Sequence, residues 1–202
     1  MVGEKRNDII FKIYKNPRTV FRIDDVALLI GVEKTPSLRT KLNYYVQNRK
    51  LLNPRKGFYA KENYNPAELA CLIFTPTYIS LEYVLQQAGI IFQYDSAITS
   101  VSYLSREIEA DNRIFRYRQM KGEILTNTEG IILNENNINI ATPERAFLDM
   151  LYLNKDFYFD NPNALDKKKV AKLLPIYNSQ ALTQAVNKLL SLRWILTNTN
   201  SI

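Results

Sequence analysis

Between Thr35 and Lys61 the chain runs TPSLRTKLNYYVQNRKLLNPRKGFYAK. Hydroxyls (Thr35, Ser37, Thr40), amides (Asn43, Gln47), a phenol (Tyr44) and cations (Arg39, Lys41, Lys50, Arg55, Lys56) are interleaved with Leu38, Leu42, Tyr45 and Val46. On a helical wheel the four apolar residues share one side. Pro36, Thr40, Asn43, Tyr44 and Gln47 lie opposite, with Arg39 and Lys41 flanking them. Amides and hydroxyls read base edges, whereas Arg and Lys hold phosphates or guanines. The chemistry this pattern offers is recognition of double-stranded DNA, not bond making.

Catalytic chemistry is poorly supplied. There is no histidine and a single cysteine, Cys71, in the apolar run ELACLIF. The commonest general base, the Ser-His and Cys-His nucleophile pairs and most zinc sites are therefore ruled out. Cys71 reads as a core thiol, and one cysteine excludes an internal disulfide framework. None of the six glycines forms a phosphate loop. Asp166-Lys167-Lys168 has the letters of a nuclease motif. It falls at a helix start, not a strand, and reads as a solvated basic turn. No cofactor and no metal is expected.

The elements that must position the recognition residues follow from the flanking sequence. Ile9, Ile10, Ile13 and Tyr14 mark a first helix, capped by Asn7 or Asp8 and ended by Pro17. Thr19 to Phe21 is a short extended piece. A second helix spans Ile23 to Ile30, with Val26, Ala27, Leu29 and Ile30 inward, Arg22 as a poor cap and Gly31 as its stop. Thr35 and Pro36 cap and open the third helix. Leu51-Leu52 and Phe58-Tyr59-Ala60 flank a turn at Asn53 to Gly57. Residues 1–61 thus read as a winged helix-turn-helix with Arg55 and Lys56 at the wing tip, where they meet phosphate or a minor groove. The competing reading is a small helical domain with a solvated basic face.

Charge supports the first. Residues 1–61 hold 14 Lys/Arg against 5 Asp/Glu, an excess of nine, while residues 62–202 hold 13 against 15. All of the net +7 lies in the first third, as expected of a polyanion-binding module. No apolar run reaches the ~18 residues of a membrane span, and residues 1–16 lack a signal-peptide core, so a cytoplasmic protein is expected.

The remainder, 62–202, reads as a mixed domain with a small, mainly antiparallel sheet flanked by helices, giving an α+β chain overall. Asn65-Pro66 starts a helix. Ser80 opens another, with Leu81, Val84, Leu85 and Ala88 buried and Gly89 its stop. Ile98 to Leu104, Arg113 to Gln119, and a hairpin (130–133 with 138–140, around Glu135-Asn136-Asn137) are strands. Arg113, Arg116 and Arg118 read either as a second nucleic-acid surface or as an edge strand protected by charge, with Glu107, Glu109 and Asp111 close enough to neutralise it. Thr142-Pro143 opens a helix with Ala146, Phe147, Met150 and Leu151 inward and Arg145 and Asp149 as a surface ion pair. Residues 154–163 form a loop. Asp166 caps a helix ending at Pro175, Asn178 or Ser179 caps a last helix to Leu192, and the tail from Trp194 is frayed.

The winged segment resembles that of the AbiEi-type antitoxins of type IV toxin–antitoxin systems. Thr75-Pro76-Thr77-Tyr78-Ile79-Ser80 through Leu85, followed by Gly89-Ile90-Ile91, is similar to the family's Pro-x-Tyr-Ile-Ser … Gly-Leu-Ile helix. Ala141-Thr142-Pro143-Glu144-Arg145-Ala146-Phe147 through Leu151 resembles its second helix signature. A histidine often precedes the glycine of the first motif in that family; here Ala88 does. The resemblance implies a repressor that binds inverted repeats of its own promoter, as a dimer or cooperatively. It also implies an antitoxin acting against a nucleotidyltransferase-like toxin, with direct contact left open. The alternatives are a histidine-free nucleic-acid-processing enzyme targeted by the winged helix, and an interaction scaffold.

Overall fold

The computed structural model describes residues 9–134 and 138–190. The expected caps Asn7 and Asp8, the turn at 135–137, and everything after Leu190, including Leu192 and Trp194, lie outside the described residues.

The chain is α+β. Its first part runs α1 (Ile9–Lys15), β1 (Val20–Arg22), α2 (Ile23–Ile30), α3 (Pro36–Gln47), β2 (Leu52–Arg55) and β3 (Phe58–Ala60). The three strands pair antiparallel in the order β1-β3-β2. Local signals act as the sequence suggests. Thr35 Oγ1 accepts from Leu38 N at 3.2 Å, with Pro36 in the first turn. Gly31 ends α2 at φ +74°, a left-handed conformation that glycine adopts without Cβ strain. The weak cap Arg22 is compensated by Asp25, whose carboxylate accepts from Arg22 N at 2.7 Å. Tyr14 is exposed, not buried, and its hydroxyl donates to Lys50 O.

The second part runs α4 (Pro66–Ile73), β4 (Thr77–Ile79), α5 (Glu82–Gln87), β5 (Ile98–Ser102), β6 (Arg106–Ala110), β7 (Arg113–Gln119), α6 (Gly122–Thr126), β8 (Ile131–Leu133), β9 (Asn139–Ala141), α7 (Pro143–Leu153), α8 (Lys167–Leu173) and α9 (Gln180–Leu190). Its sheet is larger than the small one expected, with three of its five strand pairings antiparallel. It has six strands in the order β6-β7-β5-β4-β9-β8, and is mixed: β5–β7 and β4–β9 are parallel. Strand β7 is not an edge, because β6 pairs outside it. The sequence of β6, REIEA, hides a strand behind charges; only Ile108 and Ala110 are buried. The five-residue α6 has no side-chain cap and left no sequence signal.

Further local expectations shift. Tyr78 and Ile79 belong to strand β4, not a helix, and Leu81 rather than Ser80 stands at the N-cap position of α5. Lys167 to Lys169 form the first turn of α8, capped by Asp166, and residues 162–164 of the expected loop form a short 3-10 turn.

Buried residues fall into two clusters. One joins Ile13, Phe21, Val26, Leu42 and Leu51 beneath α1–α3. The other joins Leu69, Ile79, Leu85, Phe115, Phe147 and Leu151 around the six-stranded sheet. Strand alternation links them: Phe21 and Tyr59 face the first cluster, while Val20 and Ala60, one residue away, belong to the second. The three-stranded sheet is thereby packed on both faces.

Candidate nucleic-acid interface

Helix α3 buries Leu38, Leu42 and Tyr45 at i, i+4 and i+7. That fixes which residues it presents outward. Thr35, Ser37, Arg39, Thr40, Lys41, Asn43, Tyr44 and Gln47 are all exposed, as are Lys50 after the helix and Arg55 and Lys56 on the hairpin.

The structure brings part of this set together. A groove of about 260 Å³ between α3 and the β2–β3 hairpin is lined by Ile23, Arg39, Asn43, Asn53, Lys56, Gly57 and Tyr59. A second hollow, about 380 Å³, joins Arg39 to Lys34, Thr35, Pro36 and Thr40. Arg39 lines both hollows, on the side of α3 that faces the hairpin. Lys50 lines neither hollow, nor do Ser37, Lys41, Tyr44, Gln47 and Arg55.

Orientation is set by neighbours. Tyr59, buried on β3, donates its hydroxyl to Asn43 Oδ1 at 3.1 Å. The amide hydrogens of Asn43 are left for another acceptor. Burial pushes the Tyr59 phenol up, with the Arg39 charge acting against it, so at neutral pH the hydroxyl stays a donor. Thr40 Oγ1 donates to Pro36 O at 3.1 Å, which keeps its lone pairs outward. Asn53 Nδ2 donates to Arg55 O and Phe58 O, pinning the hairpin turn. Sequence reasoning missed Tyr59 and Asn53; their only signals were a tyrosine in an apolar strand and an asparagine before a proline.

Charge is partitioned. Lys34 pairs with Asp24 at 2.8 Å and Arg18 with Asp25 at 3.1 Å. Among the described residues no carboxylate lies within ion-pair range of Arg39, Lys41, Lys50, Arg55 or Lys56. The strand arginines differ. Arg113 meets Asp111 at 3.0 Å, and Arg116 bridges Asp95 and Glu107. The expected neutralisation thus involves Asp111 and Glu107, with Asp95 as a partner not foreseen.

The two later motifs meet in the interior. Arg145 and Asp149 are completely buried, so they are not a surface pair. Asp149 accepts hydrogen bonds from Ser80 Oγ at 2.7 Å, Tyr177 at 2.6 Å and Tyr78 at 3.1 Å. Arg145 donates to Ile124 O at 2.7 Å and Glu129 O at 2.9 Å. Burial lifts the Asp149 carboxyl above its ordinary range, against the pull of Arg145 and the three hydroxyls. Gly130 passes so close that a Cβ there would lie 3.0 Å from Arg145 Cβ. Arg145, Asp149 and Ser80 are completely buried and Tyr78 and Tyr177 nearly so, and the cluster ties α7 to β4. Asp166 is engaged as well: its carboxylate accepts from Lys168 N and Lys169 N. Among the described residues no His/Cys/Asp/Glu group could hold a metal, and no helix is long and apolar enough to cross a membrane.

No protein-family model and no curated protein matches the chain. Among solved structures it is similar to the RV2827C protein from Mycobacterium tuberculosis, with a TM-score of 0.51, 11% identity, and coverage of 92% of this chain and 76% of that one. At that identity the likeness concerns the α+β fold alone.

Proposed function

We propose that the chain is a sequence-specific DNA-binding repressor whose first part is a winged helix-turn-helix. The observation that carries this is the cluster of exposed, unneutralised cations, Arg39, Lys41, Arg55 and Lys56, around the exposed amides Asn43 and Gln47. Support also comes from the element order α1-β1-α2-α3-β2-β3 and from the groove joining α3 to the hairpin. In this reading α3 enters the major groove, Asn43 and Gln47 address base edges, and Arg55 and Lys56 hold the backbone. Inverted repeats require two copies, bound as a dimer or cooperatively.

The resemblance in residues 75–91 and 141–151 extends the proposal to an AbiEi-type antitoxin, cytoplasmic and non-enzymatic, that represses its own operon and opposes a nucleotidyltransferase-like toxin. The DNA reading is tested by substitution. Asn43→Ala and Gln47→Ala relax sequence preference by about 1–3 kcal/mol, whereas Arg55→Ala and Lys56→Ala weaken binding to all duplexes alike. Wild-type discrimination by both amide variants would put the wrong helix in the groove. The antitoxin reading is tested by co-expression with the adjacent reading frame. Rescue from a toxic nucleotidyltransferase is expected; a neighbour of another kind, or no rescue, removes it.

A further inference from the structure

Four consecutive residues of the first motif, Thr75 to Tyr78, line a third hollow, of about 420 Å³. Thr77 and Asn139 begin the parallel strands β4 and β9, so the hollow lies at one end of the six-stranded sheet. The last turn of α4, the end of α6 and the turn after α6 complete it. Cys71 Sγ donates to Asn139 O and ties α4 to β9 beside it. Thr77 and Tyr78 are buried, and their hydroxyls are already engaged, with Ser102 Oγ at 2.8 Å and Asp149 Oδ1 at 3.1 Å. The volume falls in the range of small-ligand sites, roughly 300–1,000 Å³.

Its chemistry selects the guest. Leu72, Leu125 and Ile131 supply apolar wall, and among the described residues no charged side chain lines it. A charged guest would give up its hydration for no counter-charge. Hydrogen-bonding capacity remains. Asn127 Oδ1 accepts from Glu129 N at 2.9 Å, which leaves its amide hydrogens. The side chains of Thr128 and Asn139 are exposed and meet no partner among the described residues. Thr75 Oγ1 accepts from Arg22 at 3.1 Å.

That last contact leads to the first part of the chain. Arg22 Nη2 also donates to Leu72 O, so it grips the hollow's wall at two places. Arg22 is the cross-strand partner of Phe58 on the hairpin. The next residue, Ile23, begins α2 and lines both hollows beside Arg39. A guest with an amide N–H beside Thr75 competes with Arg22 for Oγ1, and so loosens the contact that fixes the start of α2.

We propose that this hollow binds a small uncharged organic molecule with an apolar body and amide or hydroxyl groups, and that its occupancy weakens duplex binding through Arg22. The link to duplex binding rests on the DNA-binding reading above; the ligand site does not.

The test uses N-benzylacetamide as the probe, with benzylammonium and phenylacetate as its charged counterparts. Ligand-observed NMR with the full chain is expected to show N-benzylacetamide binding with half-saturation at about 1 mM, the range open to so small a ligand. Neither charged counterpart should bind at that concentration. Thr128→Trp, at an exposed position, fills the hollow and should abolish binding, with an unchanged thermal melt as the check on its fold. Cys71, the chain's only thiol, gives a second readout in wild type. Probe at ten times its half-saturation should slow iodoacetamide labelling there about tenfold by mass action. No binding of N-benzylacetamide, equal binding of all three compounds, or binding that leaves Cys71 unprotected would overturn the site.

The link is read by fluorescence anisotropy with a random-sequence duplex. Saturating probe should weaken wild-type binding about fivefold. Arg22→Met lacks the contact, so it should still bind the probe while its duplex affinity does not respond. If the probe binds and wild-type duplex affinity stays fixed, the link is wrong while the ligand site and the DNA reading survive. If wild type binds no duplex even without the probe, the link and the DNA reading fall together, and the ligand site is decided by the NMR and the labelling.

Discussion

The hydroxyl of Tyr59 donates to Asn43 Oδ1 at 3.1 Å, so a strand of the hairpin holds an amide on the exposed face of α3. Helix and hairpin are thereby coupled through a buried tyrosine that also lines the groove between them. Tyr59→Phe keeps the buried ring and loses about 1 kcal/mol of stability, the typical net worth of one hydrogen bond. Its affinity for random duplex should be unchanged while its preference for the operator falls. Competition binding with the two duplexes measures this, and an unchanged preference would make the contact purely structural.

Glu68 links the two parts of the chain. From the first turn of α4 its carboxylate accepts from Thr19 N, Thr19 Oγ1 and Val20 N at 2.7 to 3.1 Å, with Arg18 at 3.7 Å. Glu68 is only 2% exposed. Glu68→Ala leaves two backbone N–H groups without partners and is expected to destabilise by about 3 kcal/mol. Glu68→Gln keeps one acceptor oxygen and loses about half as much. Urea unfolding measures both; an alanine loss under about 1 kcal/mol would mean that water replaces the carboxylate.

Arg145 and Asp149 form a fully buried pair, 3.4 Å apart. Removing one charge strands the other: Arg145→Met or Asp149→Asn should each lose about 3–5 kcal/mol. Replacing both, as Arg145→Met/Asp149→Leu, should lose clearly less than the sum of the single losses. Additive losses in a double-mutant cycle would show that the pair is not coupled.

Cys71 predicts a pH response. Its Sγ donates to Asn139 O at 3.8 Å, and burial pushes the thiol from 9.0 up to about 12. At pH 8 the folded protein should alkylate far more slowly than the urea-unfolded chain. For stability the sign follows from a raised acid: the contribution is fully present below the unfolded value and is lost as pH rises from about 9 toward 12. Cys71 is only partly buried, packed against the second core cluster and not within it as the sequence suggests, so equal alkylation rates in native and unfolded protein would contradict the raised thiol value.

Legibility in the sequence followed how local each signal is. The bounds of α2 and α3, the stop at Gly31 and the strands around Gly57 were readable because caps, glycines and helical spacing act within a few residues. The face of α3 was readable because Leu38, Leu42 and Tyr45 leave only one way to turn it. What failed depends on distant partners. Arg145 and Asp149 have the spacing of a surface pair, and only Tyr78, Ser80 and Tyr177 from other elements make burial tolerable. The motif around Tyr78 splits between a strand and a helix because Ile79 pairs with Ser100 and Ile140. Tyr59 reads as an apolar strand residue until Asn43 stands beside it.

The central claim, that α3 and the hairpin form a DNA-reading surface, is met most directly by a gel shift over a salt series. Wild-type protein is offered the duplex immediately upstream of its gene and a random duplex of equal length. Preference for the upstream duplex is expected, with log affinity falling against log salt by about 0.9 per phosphate neutralised. Equal affinity for the two duplexes, or a flat salt response, would contradict it.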